Sequence, residues 1–502
     1  VQRPITRHIA RYLDASGIPG IGGDMTKEFR YRQLAADMER KILQGVYLPG
    51  DRLPSIRSLH GSADLSISTV YKAYVELEHM GLVEARPRSG YYVAPVSLRR
   101  LKTPRFPKTD ASPRKVRLSS MINSIVSAIN DPGLLPLGMT VIDPELVPYK
   151  SLGRILSGIS RNEFKSMLSY ALSEGHPELR RQLARQTLGI IQRITPGDIL
   201  VTNGCMEAVA LALLATTRPG ETVAIETPTN YSFLQLLKEL NVMVAEVPTD
   251  PKTGIDVGAL EKTVQKTRIA ACLVMPNFHN PLGAVMPAEN KKALMRLVET
   301  YEIPVIEDDI SSELYFGDHR PKPLKAYDRH GLVLTCSSFS KSLAPGLRIG
   351  WLMAGPRFKE RVQNLKAGTN VSTSALDQYL MARFLAGGGY DRHLRTLRTT
   401  LKKQAVRTAL AVQRYFPKGT RLALPEGGTL LWIQLPQNTD SLELYSRALS
   451  SNISVIPGTV CANTGQFRNY IMLSCGIPFT EEIEQGIQTL GDIACELASE
   501  LE

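Results

Sequence analysis

A lysine, Lys341, stands in the run Ser337-Ser338-Phe339-Ser340-Lys341-Ser342-Leu343-Ala344-Pro345-Gly346-Leu347-Arg348, just past the apolar stretch Leu332-Val333-Leu334. An amine at the end of a buried strand, flanked by hydroxyls and followed by an arginine, suits an aldehyde phosphate. The amine of Lys341 forms the Schiff base, and Ser338 and Arg348, with Ser340 beside them, hold phosphate oxygens. Thr202-Asn203-Gly204-Cys205-Met206-Glu207 follows another strand-like run and opens a helix. The amides of Cys205 and Met206, just after Gly204, therefore point at phosphate through a helix N-terminus. Six cysteines lie far apart, with no CxxC pair and no His-Cys cluster at metal spacing, so no metal site is expected. They read as buried thiols in a reducing compartment.

A second chemistry is electrostatic and sits near the N-terminus. Residues 1–118 carry 21 Lys+Arg against 11 Asp+Glu, whereas residues 119–502 carry 39 against 37, so nearly all of the +12 net charge lies in the first quarter. That asymmetry marks a nucleic-acid footprint. Tyr31, Leu34, Ala35, Met38 and Ile42 recur at helical spacing and stop at Gly45. Ser55 caps a short helix carrying Ile56 and Leu59, and Ser66 caps a longer one carrying Val70, Ala73, Tyr74 and Leu77 before Gly81. Residues 82–93 then read as two short strands around a basic loop. Helix, helix-turn-helix and hairpin make a winged helix over 25–93. The first part of the helix from Ser66 enters the major groove, where Ser68, Thr69 and Lys72 meet base edges or phosphates, while Arg57, Arg86 and Arg88 supply charge toward the DNA backbone.

These groups need a scaffold, and the rest of the chain predicts one. Residues 94–118 interleave prolines with basic residues and lose apolar periodicity, which reads as an extended linker. Over 119–502, continuous apolar strands near 199–201, 222–225, 270–274, 304–306 and 332–334 alternate with helices, the pattern of a mostly parallel sheet covered on both faces. No stretch approaches the length of a transmembrane helix. Residues 1–24 have no apolar signal-peptide core and read as a flexible arm or extension, with Met25 as the natural start. A cytoplasmic protein without membrane contact is expected.

Residues 31–93, through Leu48-Pro49-Gly50-Asp51-Arg52-Leu53-Pro54-Ser55-Ile56-Arg57, Ser68-Thr69-Val70-Tyr71-Lys72-Ala73-Tyr74 and Ser89-Gly90-Tyr91-Tyr92-Val93, resemble the GntR family of winged-helix regulators. The Lys341 run resembles fold-type I aminotransferases, and the whole of 31–480 resembles the MocR subfamily of GntR regulators. The resemblance implies pyridoxal 5′-phosphate as cofactor and a smaller C-terminal α/β subdomain. It also implies that Asn280, in Asn277-Phe278-His279-Asn280-Pro281-Leu282-Gly283, bonds the ring phenolate oxygen, and that Asp308, in Ile306-Glu307-Asp308-Asp309-Ile310, pairs with the pyridine nitrogen. Tyr170 is implied to reach the phosphate of the neighbouring subunit, in a head-to-tail homodimer.

Four positions depart from the family pattern. Ile67 replaces an arginine in the recognition helix, which favours an apolar contact such as a thymine methyl. Asn230 replaces the aromatic that stacks on the ring, leaving Tyr231 as its substitute, and Ser311 replaces a tyrosine near the phenolate. Met472 stands where relatives place the arginine that clamps a substrate carboxylate. The expectation is a transcription regulator that binds an operator with paired half-sites and senses pyridoxal phosphate, another vitamer or an amine through Lys341. The alternative is a working aminotransferase with an attached DNA-binding head.

Overall fold

The computed structural model describes residues 24–500 except 44–45, 48–49, 64, 80–81, 87–88, 95–101, 108, 118–121, 130 and 192–193. Gly45, Gly81 and Arg88, and nearly all of the N-terminal arm, fall outside the described residues. The chain divides into two compact units after Ser97.

The first unit is the winged helix. It comprises α1 (Asp24–Leu43), α2 (Ile56–Ala63) and α3 (Ile67–His79), then β1 (Val83–Arg86) paired antiparallel with β2 (Gly90–Val93). Ala35, Met38 and Ile42 meet Val70, Ala73, Tyr74 and Leu77, with Val83 and Val93 closing the core. This is the face that the helical spacing marks. Tyr74 donates its hydroxyl to the Pro54 carbonyl at 2.7 Å and packs on Tyr91 with ring centroids 4.8 Å apart, which ties α3 to both the turn and the hairpin. Both expected caps form: Ser55 Oγ accepts the Ser58 amide and Ser66 Oγ accepts the Thr69 amide, each at 3.1 Å.

The second unit is built on a nine-stranded sheet of β3 (Arg114–Lys115), β4 (Ile199–Thr202), β5 (Thr222–Thr227), β6 (Met243–Asp250), β7 (Gly254–Ile255), β8 (Ile269–Val274), β9 (Val305–Asp308), β10 (Val333–Ser338) and β11 (Gly350–Met353). Its order is β3-β6-β5-β8-β9-β10-β11-β4, with β7 against β6. The strands from β6 through β10 run parallel, and β11 is antiparallel to both of its neighbours. Burial on both faces explains the uninterrupted apolar runs. A C-terminal subdomain adds β12 (Arg421–Leu422), β13 (Leu430–Gln434), β14 (Ile456–Pro457) and β15 (Tyr470–Ser474), ordered β12-β13-β15-β14 over a separate core.

The linker expected at 94–118 is shorter than its composition suggests. The Ala94 amide bonds the Leu82 carbonyl at 2.9 Å, so it belongs to the head. Residues 102–107 and 109–117 instead form a strap on the second unit. The Arg105 amide donates to Gln434 at 2.7 Å, Phe106 packs on Phe467, β3 pairs with β6, and the Arg117 amide donates to Asn463 at 2.6 Å. Proline-rich extended chain reads the same whether it is free or laid on a surface; here Phe106 and Val116 supply the apolar anchors.

Removing the Ser66 cap leaves the Thr69 amide without that acceptor. Ser66→Ala is expected to destabilise the start of α3 by about 1 kcal/mol. Amide hydrogen exchange in that turn should then quicken by about fivefold, with the second unit unchanged.

Candidate functional site

Two sites emerge, one in each unit. On the head, Ile67, Ser68, Tyr71 and Lys72 are exposed along one side of α3, with Ile67 at 53% and Tyr71 at 39%. Arg57 is exposed on α2. Thr69 departs from expectation: it is 6% exposed and its hydroxyl lies 2.7 Å from Ser66 Oγ, so it faces the core and secures the cap instead of reaching for bases. Ser66 itself is exposed but engaged in that cap. Arg86 pairs with Glu84 at 2.7 Å and lies 4.3 Å over the Tyr92 ring, which orients it on the hairpin. Tyr71 went unread in the sequence, although it sits one turn beyond Ile67 on the same face.

In the second unit, the carboxyl ends of β4, β8, β9 and β10 open on a cavity of about 210 Å³ whose wall includes Cys205, Met206, Asn280, Asp308, Ser340, Lys341 and Arg348. This is the location at which open α/β sheets bind ligands. Gly204 is the N-cap of the Cys205–Thr216 helix, at φ 82°. That backbone conformation, with ψ 174°, favours glycine, and a Cβ there would lie 2.3 Å from Arg348 Nη2 and displace the guanidinium, which donates to the Asn203 carbonyl at 2.9 Å. Gly350 is equally constrained, since its Cβ would sit 2.5 Å from the Gly204 carbonyl carbon. The result is a helix N-terminus with a guanidinium beside it and Ser340 Oγ 3.4 Å from Arg348 Nη1, a cup suited to a phosphate.

Asp308, at the end of β9, is 3% exposed; its Oδ1 accepts the Ile310 amide at 2.9 Å and the Cys205 thiol at 3.4 Å. Burial lifts its carboxyl to about 6 against the lowering effect of those bonds. Burial also depresses the Lys341 amine to about 8, with Asp308 opposing. Lys341 Nζ donates to the Thr140 carbonyl at 2.7 Å and lies 3.0 Å from its hydroxyl. Asn280 Oδ1 is buried with no hydrogen-bond partner, which leaves that amide available to a ligand.

Most of the expected residues gather here, and several are placed differently. Ser338 is buried at the end of β10, where its hydroxyl accepts the Ser340 amide at 3.2 Å, and it does not line the cavity; Ser340 does. Tyr231, Asn230 and Ser311 line it, and Asn230 also caps the Tyr231–Glu239 helix through the Ser232 amide at 3.1 Å. Met472 is fully buried on β15 between Trp432 and Ile456 and does not reach the cavity. Tyr170 is 86% exposed and also lies outside it. Arg348 is the one arginine among the described lining residues. Sequence reading passed over Thr140, which carries no local motif, and His279, whose Nε2 lies 3.3 Å from the buried Glu226 carboxylate. Five cysteines are buried as expected, whereas Cys495 is exposed. Among the described residues no cluster offers a metal site, and no helix is long and apolar enough to cross a membrane.

Residues 150–474 match the aminotransferase class I and II family, and residues 30–93 match the bacterial regulatory proteins of the gntR family. The HTH-type transcriptional regulator YdcR of Escherichia coli is 38% identical over 464 residues, covering 92% of this chain and 98% of its own length. YjiR of the same organism is 36% identical over 465 residues, with the same coverage. Among solved structures, LysN, an alpha-aminoadipate aminotransferase from Thermus thermophilus complexed with N-(5′-phosphopyridoxyl)-L-leucine, superposes with a TM-score of 0.71 at 28% identity, covering 77% of this chain and 96% of that one. The kynurenine aminotransferase of Pyrococcus horikoshii gives 0.70 at 27% identity, covering 76% and 95%. The aminotransferase fold brings pyridoxal 5′-phosphate as its cofactor, and the residues present fit it: a helix N-terminus with a guanidinium beside it for the phosphate, and a buried carboxylate and amine facing one cavity that Asn280 also lines. The chain belongs to the MocR-like transcriptional regulators, which join a gntR-family DNA-binding head to a class I and II aminotransferase domain.

Proposed function

We propose that this regulator senses pyridoxal 5′-phosphate, or an amine that reacts with it, through Lys341, and that this occupancy biases operator binding by the head. The observation that carries the reading is a cofactor cavity with amine, carboxylate and phosphate cup in which, among the described lining residues, Arg348 beside the phosphate cup is the one arginine. Bound there, the cofactor supplies an aldehyde for amines and a ring that withdraws electrons toward a protonated nitrogen. Lys341 would anchor it covalently, and Asp308, Asn280 and Tyr231 would hold its ring. Arg348, Ser340 and the amides of Cys205 and Met206 hold the phosphate, with Ser338 fixing the loop that carries Ser340. Thr140 holds the Lys341 amine when it is not engaged. Without a bidentate arginine, an α-carboxylate is neither bound tightly nor oriented. An amine lacking that group, or the vitamer itself, suits the cavity better.

Tyr170, with Leu168, Leu172 and Phe164 around it, is exposed at 86%, 72%, 58% and 49% respectively. So much apolar side chain in one segment supports a second copy covering it, in a head-to-tail homodimer where Tyr170 reaches the neighbouring cavity. Two heads then favour an operator with paired half-sites, read through Ser68, Lys72, Ile67 and Tyr71, with Arg57, Arg86 and Arg88 on phosphates. Acting on DNA, the protein works in the cytoplasm.

Arg57→Ala and Lys72→Ala are each expected to weaken operator binding and to lower the slope of log affinity against log salt by about one unit. A titration series at several salt concentrations checks this, and unchanged slopes would remove these residues from the interface. Only the neutral amine attacks an aldehyde, so uptake of pyridoxal phosphate by the apoprotein should quicken about tenfold per pH unit below 8 and level off above it. Stopped-flow absorbance reads that rate, and Lys341→Ala should abolish the covalent chromophore while DNA binding persists. Across a panel of L-amino acids, turnover should be slow or undetectable; a rate like that of an ordinary aminotransferase would promote the enzyme reading instead.

A further inference from the structure

On the second unit, away from the cofactor cavity, a groove of about 400 Å³ is lined by Lys102, Gln413, Lys418, Arg421 and the apolar floor of Val412 and Phe416. Arg105 lies at its edge: its amide bonds Gln434, which is the register partner of Arg421, and its carbonyl accepts the Tyr470 hydroxyl. Lys102, Arg105 and Lys418 are exposed and Arg421 is half-buried. No carboxylate lines the groove. Among the described residues no ion pair engages these four cations, although Arg114, Arg447 and Arg468 of the same unit pair with Asp110, Glu500 and Asp440 at 3.2, 2.9 and 2.6 Å. The backbone that carries them is fixed. The strap is hydrogen-bonded at Arg105 and packed at Phe106, and Thr420 closes the turn under Lys418 by donating its hydroxyl to the Pro417 carbonyl at 2.8 Å. Like charges held together without counter-charge concentrate positive potential, and a polyanion relieves it.

We propose that this groove is a second contact for the DNA phosphate backbone, used by a duplex already held by the head. Two observations favour a polyanion over a small anion. The exposed cations do not converge on a point: farther along the strap, beyond the paired Asp110 and Arg114, stand the exposed Lys115 and Arg117. In sequence the first cation of the groove, Lys102, also follows the end of β2 at Val93 by nine positions, so a duplex bound by the head and the groove are joined through one chain. Contact here carries no sequence information; it adds affinity and salt dependence to what the head selects.

The inference rests on the head binding DNA, and the test separates the two. The full-length holoprotein and a variant with Lys102→Gln, Arg105→Gln, Lys418→Gln and Arg421→Gln are titrated with a duplex selected by the protein from a random pool, and with a scrambled duplex of equal length, over a range of salt concentrations. The variant should bind both more weakly, with the salt slope reduced by about three to four units and the preference between the duplexes retained. Lys418→Gln alone, on an exposed turn, should lower the slope by about one unit, so a misfolded quadruple variant would not shield the proposal; cofactor absorbance reports the fold. Unchanged slopes in folded variants would overturn it, the more specifically if Arg57→Ala lowers the slope as the head reading requires. Millimolar inorganic phosphate perturbing the groove while the slopes stay unchanged would make it a small-anion site instead. Failure of the wild type to bind any duplex would overturn both readings together.

Discussion

A carboxylate buried at the end of a parallel strand sets the terms for everything around it. Asp308 cannot remain ionised in the interior without partners, because a buried charge is costly unless it is bonded and neutralised. The Ile310 amide and the Cys205 thiol meet part of that demand. The nearest amine, Lys341, is itself depressed by burial and turned toward Thr140, so the chain's own groups leave the carboxyl raised to about 6. The strand order, the helix opening at Gly204 and the loop carrying Lys341 all serve to bring their groups to that one buried acid.

Much of this was legible because it is written in local pattern. The α1 and α3 core faces follow from spacing alone, and the strands on either side of Asp308 are apolar throughout because both sheet faces are covered. Lys341 stood out by its company of hydroxyls and an arginine. What escaped depends on contacts distant in sequence. Thr140 meets Lys341 across about two hundred residues, and nothing in its neighbourhood announces that. Thr69 and Ser338 carry the right hydroxyls at the right spacing, but each spends them on local backbone geometry. The strap fooled composition for a related reason: one phenylalanine and a handful of main-chain hydrogen bonds suffice to fasten an extended chain.

The two units keep separate hydrophobic cores, and their chemistry is correspondingly separate. The head offers an exposed helix side of mixed apolar and basic character. The body has the cofactor cavity of an aminotransferase fold, while Met472, expected from the family pattern at the carboxylate clamp, is buried in the packing of the C-terminal sheet.

The glycine pair Gly204 and Gly350 has a further implication. Because their backbones touch, that side of the cavity is a rigid template with no room for side-chain variation. The opposite side is drawn from Thr140, Val141 and the residues leading into β13, which belong with the core of the C-terminal subdomain. A ligand in the cavity meets both sides, and it is on the second that side chains are present to be changed. Novel ligand preferences in chains of this architecture would therefore arise by changes to the second side, leaving the first as a common inheritance.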